Sequence, residues 1–160
     1  MNAAHLHLLV NHLPVFGVML SACVLVYALM TKNGNTIIAA YLMLIATVIG
    51  GGMSYFTGEA AEEAVEQFAD ERRIEEHEES AFPAMVLLAI TGFTSVIGIF
   101  VTGRNLPATR SLAIIVLVLA IVNFALLVRV GNTGGKISHK ELYSNSTFNS
   151  NKKAESKSDD

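Results

Sequence analysis

Five histidines are the residues of this chain best equipped for chemistry: His5, His7, His12, His77 and His139. Imidazole ligates metals and exchanges protons near neutral pH. His12 has the most telling position. It stands where the chain enters its first long apolar run, two residues before Pro14. Proline is tolerated in the first turn of a helix. Asn11 is therefore expected to cap a helix that carries His12 in its first turn. At about 100° per residue, His5 and His12 share one helical face if the helix extends upstream, and His7 points elsewhere. The alternation His5-Leu6-His7 fits a short extended piece equally well. His77 belongs to a stripe with Ile74, Ala81, Ala84, Met85 and Leu88, while Glu75, Glu76, Glu78 and Glu79 point off it. His139 follows a glycine-rich stretch and precedes Glu141.

The elements that must position these side chains are membrane spans. The chain has 160 residues, of which 52% are hydrophobic and 16% charged, with a mean hydropathy of +0.47. That composition is too apolar for an ordinary soluble domain of this length. Uncharged runs give four spans, at about 11–30, 36–57, 80–102 and 111–129. Each approaches the roughly 20 residues that a helix needs to cross a hydrocarbon core. Backbone polar groups in lipid must be satisfied internally, so the fold class is all-α, an integral membrane four-helix bundle. It occupies residues 1–142, and a polar tail over 143–160 is expected to be disordered. The links around Asn33-Gly34-Asn35 and Gly103 to Pro107 are short, so successive spans are antiparallel neighbours. No Lys or Arg precedes the first apolar run, which argues for a retained span over a signal peptide.

Four spans place both termini on one side, together with the long link between spans two and three. All 14 acidic residues fall on that side, ten of them from Glu59 to Glu79. The opposite side carries only Lys32, Arg104 and Arg110 in its two links. Lys and Arg near the spans decide orientation. Counting them favours the histidine side as cytoplasmic, whereas the short, purely basic links favour it as periplasmic. We take the second, in a bacterial inner membrane.

The long link has helical spacing of Ala61, Ala64, Val65 and Phe68, which predicts an acidic amphipathic helix with Thr57 as its N-cap. Helix resumes near Asp70 and runs into span three. Span two carries Ala46, Gly50, Ser54 and Gly58 at four-residue intervals, a face on which helices approach closely. The triplet Gly50-Gly51-Gly52 fits close packing, a kink, or a flat cofactor against the backbone. Gly131 to Gly135 is expected to stop the last helix after Arg129, letting the His139 segment fold back. Cys23 is expected in the core. Pairing spans one and two with three and four gives no matching motif.

Spans one and three enter from the same side and can lie diagonally across a bundle, whose core builds cofactor sites from facing side chains. The reading with most support is a b-type haem ligated by His12 and His77, with His139 as alternative ligand or cover and Glu141 beside it. Such a protein transfers electrons to a membrane or periplasmic redox partner. A CxxCH motif is absent, so the haem is non-covalent. The same side chains suit a non-haem Fe, Cu or Zn centre of His5, His7, His12, Glu62, His77, His139 and Glu141 with a catalytic or metal-handling role. A third reading is a cofactor-free accessory subunit of a larger membrane complex, or a homo-oligomer. Lipid is a partner in every reading. No basic face addresses nucleic acid, and no nucleophile–base pair or phosphate loop points to a hydrolase.

His12-Leu13-Pro14 at the opening of span one resembles the start of an uncharacterised bacterial four-helix membrane family (domain of unknown function, 2231-type). Tyr55 to Glu66, Ile74-Glu75-Glu76-His77-Glu78 and Gly134 to Glu141 resemble a GGxIxHxE-containing subgroup of it. That subgroup has Arg where this chain has Ser138. The resemblance covers residues 5–142 and implies four spans.

Overall fold

The computed structural model describes residues 3–65, 70–104 and 106–138, with the side chains of 3, 4, 63–65 and 138 set aside. Five helices follow one another: α1 Ala3–Val10, α2 His12–Thr31, α3 Gly34–Val65, α4 Glu71–Gly103 and α5 Thr109–Ser138. Only Asn11 separates α1 from α2, and its N–H still donates to the His7 carbonyl at 2.8 Å. The two together form the first span. Four helices are long and apolar enough to cross a membrane, and their outward faces present Phe16, Ile49, Phe93, Phe100 and Ile121 to lipid. Asn11 carries helical dihedrals and no side-chain cap bond, because the helix continues upstream of it.

The helices form a ring in which α2 packs on α3, α3 on α4, α4 on α5 and α5 back on α2. Spans one and three are thus diagonal, as are two and four. Lys32 closes the first link in a left-handed conformation (φ 53°), and the Asn33 side chain accepts from the Thr36 N–H. Asp70 caps α4 by accepting from the Arg72 N–H. The described parts of the acidic segment are helical, carried by the ends of α3 and α4, and Phe68 of the expected amphipathic helix lies outside the described residues. Thr57 is no cap: α3 passes through it without a break, and its hydroxyl donates to the Met53 carbonyl at 2.8 Å. Nor do the glycines after Arg129 stop α5, which continues to Ser138. Helix propensity disfavours Gly by about 1 kcal/mol each, but tertiary contacts hold this end. Arg73 donates to the Lys136 carbonyl at 2.7 Å.

Small residues set the helix spacing. A Cβ on Gly17 or Gly92 would run into Thr47 or Val48. Gly50 and Gly51 face Leu13 and Leu88, so close packing accounts for them. Cys23 is exposed toward lipid, not in the core. A Cβ on Gly98 would lie 2.5 Å from Tyr41 Cε2, and Tyr41 is fully buried. Gly98→Val is therefore expected to cost about 1–3 kcal/mol by overpacking, read as a lower midpoint in detergent unfolding.

Candidate functional site

The buried positions of the two halves coincide. Pro14, Val18, Ser21, Leu25 and Ala28 line the inner face of α2. Ala84, Leu88, Thr91, Ser95 and Gly98 line that of α4 at the same spacing. On α3 the buried residues Ile37, Ala40, Leu44 and Thr47 match Ala113, Val116, Ala120 and Asn123 on α5. The chain is thus two helical hairpins in one register, an internal repeat that sequence comparison of the spans does not reveal.

This repeat brings His7 and His77 to equivalent places. His7 lies on α1, half-buried, with Nδ1 2.9 Å from the Ser54 carbonyl oxygen on α3 and 3.4 Å from Thr57 Oγ1. His77 lies on α4, half-buried, with Nδ1 3.2 Å from the Val130 carbonyl oxygen on α5 and 3.1 Å from Thr133 Oγ1. Each ring rests on a glycine. A Cβ on Gly58 would stand 3.1 Å from His7 Cε1, and a Cβ on Gly134 would stand 3.1 Å from His77 Cε1.

The hydrogen bonds fix the tautomer. Thr57 and Thr133 use their hydroxyl protons on helix carbonyls, at 2.8 Å to Met53 and 2.9 Å to Val130. Carbonyl and hydroxyl oxygens alike are then left to accept, so both Nδ1 atoms donate. That leaves Nε2 as the ring nitrogen through which either imidazole would bind a metal. His77 stands before the apolar run of its span, and burial, with the neighbouring His7 second, holds its imidazole below the ordinary value. The neutral, ligating form is therefore favoured, and the two rings are within electrostatic reach of each other.

The remaining candidates lie elsewhere. His5 and His12 do share a face, but it is the exposed one, and His12 stacks on Phe16 with centroids 6.2 Å apart. The pair His12–His77 is therefore not assembled, and His7 stands in the place expected of His12. Burial of Val10, Pro14 and Val18 fixes the helix rotation, and His7, three and seven residues before the first two, shares their face. Glu62 lies beside Glu78, whose charge, ahead of partial burial, holds the Glu62 carboxyl above its usual range. Among the described residues no three His, Cys, Asp or Glu side chains converge as a metal site. His139 and Glu141 lie outside the described residues.

Thr57, Gly58, Thr133 and Gly134 were not singled out as a set by the sequence. The signal available was the dipeptide Thr-Gly, present near the histidine-side end of both even-numbered spans. Two imidazoles, each held through Nδ1 and seated against a glycine, make a donor set that fits a bis-histidine haem. No family model, curated protein or solved structure matches this chain.

Proposed function

We propose that this protein is a membrane-embedded b-type haem protein of electron transfer, in which His7 and His77 would hold the haem. The observation that carries the reading is the matched pair of imidazoles, one from each half, both pinned through Nδ1 to a carbonyl of the neighbouring helix. A haem held there supplies one-electron chemistry. The chain's own part is to orient the two rings and to leave backbone room beside each at Gly58 and Gly134. The site sits at the histidine-side mouth of the bundle, and the exposed carboxylates Glu75, Glu76, Glu78 and Glu79 flank His77 on α4. A redox partner with a basic face fits that rim. We place the rim in the periplasm of a bacterial inner membrane.

Protein purified from haem-replete cells is expected to show a Soret band and a b-type pyridine haemochrome, with about one haem per chain. A colourless preparation overturns the reading. If elemental analysis of that preparation finds stoichiometric iron, copper or zinc, the site is a non-haem metal centre instead.

A further inference from the structure

We infer that the groove between α4 and α5 at the histidine side binds a membrane quinone, and that the quinol is the electron donor to the site. The groove has a volume of about 710 Å³, within the range of roughly 300–1,000 Å³ typical of small-molecule sites. It runs along α5 from Ala125 and Leu126, inside the apolar span, to Asn132 and Lys136 beyond it. One end is therefore open to acyl chains and the other to the headgroup layer, which suits an amphiphile with a polar ring and an isoprenoid tail.

The internal repeat supplies a control for what the fold itself requires. Where the second half has Glu79, Ser80, Arg129, Asn132 and Lys136 in the groove, the first half has Leu9, Val10, Met53, Phe56 and Ala60 at the equivalent positions. Ala125, which leaves the groove open, is matched by Ile49. The same face of the first hairpin is thus apolar. The polar groove is an addition confined to one half, and packing does not account for it.

Its chemistry selects the ligand. Two cations, Arg129 and Lys136, and two carboxylates, Glu76 and Glu79, line it. The charges balance, so a neutral headgroup fits better than an anionic lipid: quinone carbonyls can accept from Arg129 and Lys136, and quinol hydroxyls can donate to Glu76 and Glu79. Pro83 has no N–H to offer the Glu79 carbonyl one turn below it, which leaves an acceptor in the groove. The groove reaches the imidazole through one lining residue: Ser80 Oγ lies 3.0 Å from Thr133 Oγ1, and Thr133 Oγ1 lies 3.1 Å from His77 Nδ1.

The electron-donor step rests on the haem reading; the binding step does not. In the donor step the two O–H bonds of the quinol break. Its protons pass to the Glu76 and Glu79 carboxylates and on to water. Its two electrons would pass one at a time to the redox partner by way of the haem that His7 and His77 would hold, and quinone is released.

Decylubiquinone binding to the purified full chain in detergent micelles, followed by equilibrium filtration, tests the site. Saturable binding is expected, weakened at least tenfold in Ala125→Trp and in the milder Ala125→Ile, which copies the residue of the other half. The exposed position makes both compatible with folding. In haem-loaded protein, decylubiquinol is expected to reduce the wild type and to slow at least tenfold in Ala125→Trp, while dithionite reduces both equally. No saturable binding, or binding indifferent to both substitutions, overturns the site; that is also the result if phospholipid alone occupies the groove. Equal reduction of both proteins by decylubiquinol overturns the donor step. A colourless protein that still binds decylubiquinone saturably sinks the haem reading and leaves the site standing.

Discussion

His7→Ala and His77→Ala are each expected to abolish the low-spin bis-histidine spectrum, whereas His12→Ala leaves it intact. The three positions separate the readings cleanly. His12 is exposed and stacked on Phe16, on the outer face of its helix. His7 and His77 each have Nδ1 committed to a carbonyl of the facing helix. Removing one ligand leaves the other imidazole oriented, so residual binding through a single bond is the most that can survive. Loss of a residue that merely supports a ligand already costs 10–100-fold in metal affinity. Loss of the ligand itself is expected to exceed about a hundredfold, read as Soret absorbance per chain after purification. Retained low-spin haem in His7→Ala with loss in His12→Ala would return the axial role to His12 and refute the assignment made from the geometry.

The difference between His7 and His12 shows where sequence stops being informative. Four spans are legible because lipid demands some 20 uncharged residues of helix, and the chain has four such runs. The antiparallel ring follows from short links, and the inward stripe of Ile74, Ala84 and Leu88 is visible because Glu75, Glu76, Glu78 and Glu79 mark the other face. The rotation of α1–α2 has no such marker. That helix is apolar all round, and in lipid the interior face is not the more hydrophobic one. The spacing correctly puts His5 and His12 on one face and His7 off it, but it cannot say which face is inside. The helix through Gly131 to Gly135 was illegible for a related reason. Propensity reads as a stop, and only tertiary contacts overrule it: the Arg73 bond to Lys136 and the seating of His77 against Gly134. The repeat was hidden because, apart from the His, Thr and Gly positions at the histidine side, the halves share register more than residue types. Leu25 answers to Ser95, and Thr47 to Asn123.

That shared register yields the second large effect. Gly58→Leu and Gly134→Leu are expected to reduce haem content by similar factors, each more than about tenfold, on the scale that mispositioning a ligand costs. The physical cause is the same at both. A Cβ alone would lie 3.1 Å from Cε1 and 3.3 Å from Nδ1 of the imidazole in either half. An alanine therefore demands a shift of a few tenths of an ångström, which the ring can make while keeping its bond to the carbonyl. A leucine adds a branched group in the space the ring fills, and either the imidazole turns or the helices part. Gly58→Ala and Gly134→Ala are accordingly expected to keep most of the haem and to alter the midpoint potential. Gly52→Leu is the matched control. It lies on the same helix as Gly58, and a Cβ there meets nothing within 4 Å, so general weakening of α3 by substitution would appear in it as well. Full haem content in both leucine variants would show that the rings need no glycine beside them. A large loss at one glycine and none at the other would show that the two halves, matched in their packing, do not hold their histidines for a common ligand.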